Sequence, residues 1–150
     1  WFLTSLGSLE PLHRAILGGD SRAVEAILRR MLLQHASYHD VAETQDEAFY
    51  HAFTLGLLVT LESTHAVRSN RESGGGRADL LIVPKQRGLP GVVLEFKRGG
   101  ASTTLAAHAR SAVKQAVVKR YTAELEAAGA TPISVLGVAF SGKDVAVRKG

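Results

Sequence analysis

The 150-residue chain contains no cysteine, which excludes disulfides, Cys-ligated zinc and thiol nucleophiles at once. The absence fits an intracellular, cytoplasmic protein. No apolar run reaches the ~18–20 residues that a membrane span needs. The opening WFLTSLGSLEPLHR also lacks the basic start and apolar stretch of a secretory signal, so no membrane partner is expected. Internal repeats, low-complexity tracts and a dividing linker are missing too. The length is therefore read as one domain over 1–150, with a helical lead-in over 1–43 and a core over 44–150. Because the first residue is Trp1 rather than Met, the chain is read as a piece of a longer protein. Nucleotide-binding loops are lacking as well. The segment SGGGR (73–77) has no Gly-Lys-Ser/Thr ending, and no dinucleotide fingerprint occurs.

What is present is an ordinary globular composition, 45% hydrophobic and 21% charged. A net charge of +4 and a pI of about 9.7 favour a polyanionic partner through phosphate contacts and counterion release. Many basic domains nevertheless bind nothing charged.

The first forty residues read as helical. Asp20 can cap a helix whose apolar positions Val24, Ile27, Leu28, Met31 and Leu32 recur at helical spacing. A second helix is expected from Thr44, with Thr44 and Glu47 in capping-box spacing, to about residue 62. Phe49, Phe53, Leu57 and Leu61 form its apolar stripe, and Ala52, Leu55 and Leu58 widen it, which predicts a helix covered on most sides. The texture then changes to short strands over 64–70, 77–84 and 91–97, separated by SGGG and QRGLPG. One long helix is expected from Ser102 to about Ala128, stopped by Gly129. Strands over 132–140 and 144–149 follow, joined by the turn SGKD. Three meandering strands and a helical crossover imply an α/β fold, a mixed sheet flanked by helices.

The informative stretch is RADLLIVPKQRGLPGVVLEFKRG. Glu95 and Lys97 lie two apart on a strand and so leave the same face, whereas Val92, Leu94 and Phe96 leave the other and read as core. Asp79 opens the preceding strand among apolar neighbours. A lone E-x-K is most simply a solvent-facing pair on a half-exposed strand. Asp79 on the adjacent strand changes that balance, because hairpin neighbours on one face can share a ligand. Asp79 and Glu95 supply hard oxygens of the type Mg²⁺ or Mn²⁺ prefers. With Lys97 the local charge is minus one, and a divalent cation brings it to plus one, which suits a phosphodiester. Such an ion polarises a phosphate and acidifies a bound water. Lys97 could orient that water or neutralise charge on the phosphate.

At these residues the sequence resembles the PD-(D/E)XK nuclease superfamily: Asp79, a fifteen-residue gap, Glu95-Phe96-Lys97, then a long helix. The nominal proline before the aspartate is replaced by Ala78. The segments EAFYHAFTLGLL, SNRESGGGRADLLIVP, VVLEFK, AVKQAVVKRY and GVAFSGKDVAV resemble the nuclease domain at the C-terminus of AAA-ATPase-like bacterial proteins, over roughly residues 20–150. The resemblance implies a restriction-endonuclease-like core, with Asp79 and Glu95 as metal ligands, Lys97 as the catalytic lysine and the Phe96 carbonyl as a further metal contact. It implies that Glu47 completes the site, against its rival role as partner of Thr44 in the capping box. Gln115 would support the site or contact substrate, against a plain helix-surface glutamine. His51, one turn after Glu47, reads as a hydrogen-bonded core residue rather than a ligand.

Arg71 and Arg77 around the glycine turn, and Lys114 and Lys119 on the long helix, are candidate nucleic-acid contacts. On that helix His108, Ser111, Gln115, Lys119 and Thr122 line a polar face, with Lys114 and Arg120 beside it. Ala109, Ala112, Val113 and Ala116 form a small-residue face suited to lie close against the sheet. The expected activity is Mg²⁺- or Mn²⁺-dependent phosphodiester hydrolysis in DNA, with RNA as the other substrate, and an ATPase domain in the same full-length chain. The alternatives are a catalytically silent nucleic-acid-binding or regulatory module with this fold, attached to an ATPase, and a toxin-type effector with an immunity partner.

Overall fold

The computed structural model describes residues 8–35, 47–69, 79–98 and 104–150. Helix α1 (Glu10–Leu17) carries Pro11 in its first turn, and the chain turns at Gly18 and Gly19. Helix α2 (Ser21–His35) starts where Asp20 Oδ1 accepts the Ala23 N–H at 3.0 Å. That is the side-chain cap expected of this aspartate. Its Val24, Leu28, Met31 and Leu32 are buried.

Helix α3 (Glu47–Leu58) runs into a 3-10 turn, Val59–Ser63. Thr44 lies outside the described residues. The helix is covered on most sides, as expected, with Ala52 and Gly56 on its one exposed strip among the described positions 50–58. Tyr50, His51, Thr54, Leu57 and Leu58 are buried, and Phe53 and Leu55 are half-buried. Its described neighbours include β1, β3 and the 3-10 turn.

The sheet has the order β1 (His65–Ser69), β2 (Leu80–Pro84), β3 (Gly91–Arg98), β4 (Ile133–Ser141) and β5 (Asp144–Lys149). Neighbours are antiparallel except β3 and β4, which are parallel. A parallel pair needs a long crossover, and α4 (Leu105–Val118) with α5 (Ala123–Ala127) supplies it. Alternation sorts the strands between two cores. Leu80, Ile82, Val92, Leu94, Phe96, Leu136, Val138, Phe140, Val145 and Val147 pack under α1, α2 and α3. Leu81, Val83, Val93 and Val135 pack under Ala116, Tyr121 and Leu125 on the other face. Burial on both faces explains why these strands read as near-continuous apolar runs.

The single helix expected over 102–128 is two helices. The last turn of α4 closes with Tyr121 N–H on the Ala116 carbonyl at 3.1 Å and Arg120 N–H on the Val117 carbonyl at 3.1 Å. Arg120 takes φ 54°, the left-handed position that glycine or asparagine usually fills in this Schellman ending. The gain is Tyr121, which turns inward and is buried beside Ala116 and Leu125. Gly129, at φ 71°, ends α5 as the sequence predicts.

Two contacts fix the layers. A Cβ on Gly137 of β4 would stand 2.0 Å from the Ala109 carbonyl oxygen, so α4 lies directly on the strand there. At the far edge, Glu25 Oε2 accepts the Val147 N–H at 2.9 Å, and Arg29 donates to the Val145 carbonyl at 2.8 Å. Side chains of α2 thereby occupy the outward main-chain groups of β5, a way of blunting a sheet edge. The five-stranded mixed sheet between helical layers is the α/β architecture expected, consistent with a restriction-endonuclease-like fold. Among the described residues no helix is long and apolar enough to cross a membrane.

Candidate active site

Strands β2 and β3 pair with Leu80 opposite Leu94. One step further along that register, Asp79 stands against Glu95, and alternation sends both towards the α4 layer. The two residues interlock. The Asp79 N–H donates to Glu95 Oε2 at 3.2 Å, and the Phe96 N–H donates to Asp79 Oδ2 at 2.8 Å. Glu95 is only 3% exposed and Lys97 is half-buried. The solvent-facing reading of Glu95 and Lys97 is therefore wrong, because α4 covers that side of the strand.

The cover is chemical as well as steric. Lys97 Nζ donates to Gln115 Oε1 at 2.6 Å, and Gln115 Nε2 donates to Glu95 Oε1 at 2.6 Å. An ammonium can only donate, so the amide oxygen faces Lys97 and the amide nitrogen is left for Glu95. Gln115 is half-buried and bridges the acid and the lysine, which leave one strand on the same side. It is not a plain helix-surface glutamine.

Burial raises the Glu95 carboxyl from 4.5 to about 7, and the neighbouring Asp79 carboxylate adds to the rise. The Asp79 N–H, Lys97 and Lys119 pull in the opposite direction without cancelling it. Burial is thus the main reason that Glu95 resists ionising, with the adjacent Asp79 carboxylate second. Asp79 and Glu95 offer hard carboxylate oxygens at neighbouring positions of paired strands, and a Mg²⁺-like ion is commonly held by one or two carboxylates. The donor set fits such an ion, although no third Asp, Glu or His joins the two in a metal-holding cluster among the described residues.

Phe96 enters the site through its main chain, since its side chain is buried on the opposite face against Phe140, ring centroids 6.2 Å apart. Glu47 is the first residue of α3, and its side chain lies outside the described residues. Arg71 and Arg77 lie outside them entirely. Lys114 is exposed on α4. Lys119, exposed at the end of that helix, is near enough to Glu95 to act on its carboxyl.

Two features escape the sequence reading. Gly137 sits beside Glu95 in the parallel register, where its missing side chain lets α4 descend far enough for Gln115 to reach Glu95. A glycine inside an otherwise apolar strand marks such a close approach and could have found it. Ser69, at the end of β1, places its hydroxyl 3.2 Å from His51 Nε2, and no local pattern points to that contact.

A family model of the PD-(D/E)XK nuclease superfamily matches residues 45–150, from just before α3 to the end of β5. None of the curated proteins matches the chain.

Proposed function

The chain belongs to the PD-(D/E)XK nuclease superfamily, and from that premise we propose that it is a metal-dependent nuclease hydrolysing phosphodiester bonds in DNA. The observation that carries the reading is the interlocked pair Asp79–Glu95, joined to Lys97 through Gln115. Asp79, Glu95 and the Phe96 carbonyl would hold Mg²⁺ or Mn²⁺, which when bound polarises the scissile phosphate and acidifies a water. The other work belongs to side chains of the chain itself. Lys97 neutralises charge that develops on the phosphate oxygens, a contribution that grows in a site screened from water. Gln115 keeps that ammonium beside Glu95 instead of letting the two collapse into a direct pair. Glu47, at the start of α3, completes the acidic set. Lys114 and Lys119, with Arg71 and Arg77, hold the phosphate backbone by charge, so binding weakens as salt rises. The proposed setting is the cytoplasm, with an ATPase domain of the same full-length chain as a partner.

The test is cleavage of plasmid, linear and single-stranded DNA, and of RNA, with Mg²⁺ or Mn²⁺ and then with chelator. Cleavage of DNA that chelator abolishes is expected. Asp79→Ala and Lys97→Ala should each lower the rate by at least ~100-fold, the scale on which removal of one charge-stabilising group acts. A Lys97→Ala protein that cuts as fast as wild type would overturn the reading. Binding without cleavage assigns a silent module instead, and preferential cleavage of RNA corrects the substrate.

A further inference from the structure

We propose that His51 is a positioning residue that sets the place of Asp79 through the main chain. The inference rests on the nuclease reading above. Asp79 lies at a bend, and the ladder of β2 begins only at Leu80. Sheet pairing alone does not hold its peptide. His51, buried on α3, places Nε2 3.3 Å from the Asp79 carbonyl oxygen and 3.2 Å from Ser69 Oγ. A carbonyl can only accept, so the bond to Asp79 requires the tautomer with the proton on Nε2, and the Ser69 hydroxyl lies within reach of the same nitrogen. Ser69 pairs with Leu80 in the sheet, which anchors this contact to the frame of β1 and β2.

The ring makes a second contact. It stands edge-on to Phe96, with centroids 5.7 Å apart and planes at 75°. Phe96 is the residue whose N–H holds the Asp79 carboxylate. One imidazole therefore steadies Asp79 at its carbonyl by hydrogen bonding, and at its carboxylate by packing on the residue that binds it. With Nε2 committed to the main chain, His51 acts on the site through Asp79.

His51→Phe keeps a ring against Phe96 and removes the donor, and His51→Gln removes the ring and keeps an N–H donor. Each folded variant, checked by circular dichroism, is titrated with Mn²⁺ by calorimetry without substrate, and then assayed for DNA cleavage across Mn²⁺ concentration. Loss of a group that orients a metal ligand typically weakens metal affinity 10–100-fold. That loss is expected for His51→Phe, with cleavage recovering at high Mn²⁺ and KM for DNA little changed, and His51→Gln should regain most of the affinity. Wild-type Mn²⁺ affinity in His51→Phe overturns the inference, as does a His51→Gln protein as weak as His51→Phe. Wild-type protein that neither binds Mn²⁺ nor cuts overturns the nuclease reading, and this inference with it. Should His51→Phe fail to fold, His51→Ala takes its place in the comparison with His51→Gln.

Discussion

Glu95 is buried beside another carboxylate, and its carboxyl stands at about 7 instead of 4.5. The native state therefore binds this proton more tightly than the unfolded chain does. A raised acid favours the native state fully below about pH 4.5, and that contribution is lost as pH climbs through about 7. The full swing is on the order of 3 kcal/mol. Urea denaturation in chelator at pH 4.5 and pH 8 should show it as a difference between proteins. Relative to wild type, Glu95→Gln gains stability on going to the higher pH. An unchanged difference across that interval would mean that Glu95 titrates as an ordinary exposed acid. The pairing of Asp79 with Glu95 was legible in the sequence because two short apolar runs flank a turn, and a hairpin register follows from that. The raised pKa was not legible, because it needs α4 laid over the strand.

At the scale of elements, α2 earns its place through the edge of β5. Its Arg29–Glu25 pair is an i,i+4 couple on a partly exposed surface, and such pairs contribute only ~0.3–0.5 kcal/mol. The greater effect lies in the acceptor that Glu25 provides to the Val147 N–H and to Arg148. Glu25→Ala removes that acceptor and should destabilise by about 1–3 kcal/mol. A fall in the urea midpoint with unchanged slope, and unchanged cleavage per folded molecule, is the expected result; an unmoved midpoint would mean that water replaces the carboxylate at no cost. In the sequence Glu25 and Arg29 are indistinguishable from any solvated helix pair, since their partners stand more than a hundred residues away. The break between α4 and α5 was hidden for another reason. A left-handed helix ending usually shows as glycine, and here Arg120 occupies it. The strands, by contrast, were legible from runs of Val, Leu and Ile between turn residues.

For the molecule as a whole, a cation held by Asp79 and Glu95, as proposed, would bind the folded chain and not the unfolded one, because only the sheet brings those two residues together. Thermal stability should then rise with Mg²⁺ or Mn²⁺, by about 2.7 kcal/mol when the free ion is at 100 times its Kd. The rise should be larger at pH 8 than at pH 6, where the Glu95 proton competes with the ion. Thermal denaturation of wild type and Asp79→Ala, with and without Mn²⁺, checks this; a shift that survives in Asp79→Ala would place the ion elsewhere. The three-layer architecture was readable from the order of the elements, but the distances between layers were not, since they are set by contacts across the sheet.

One of those distances depends on an absence of atoms. At Gly137 the crossover helix rests on bare main chain, and the neighbouring strand position is Glu95. A single methyl group there would lift the helix like a shim under a lever, and with it the amide that joins acid to lysine. Asp79 and Glu95 would still interlock across the two strands, but Gln115 would no longer bridge Lys97 and Glu95. The span of that bridge is thus written into a position that contributes no side chain to it.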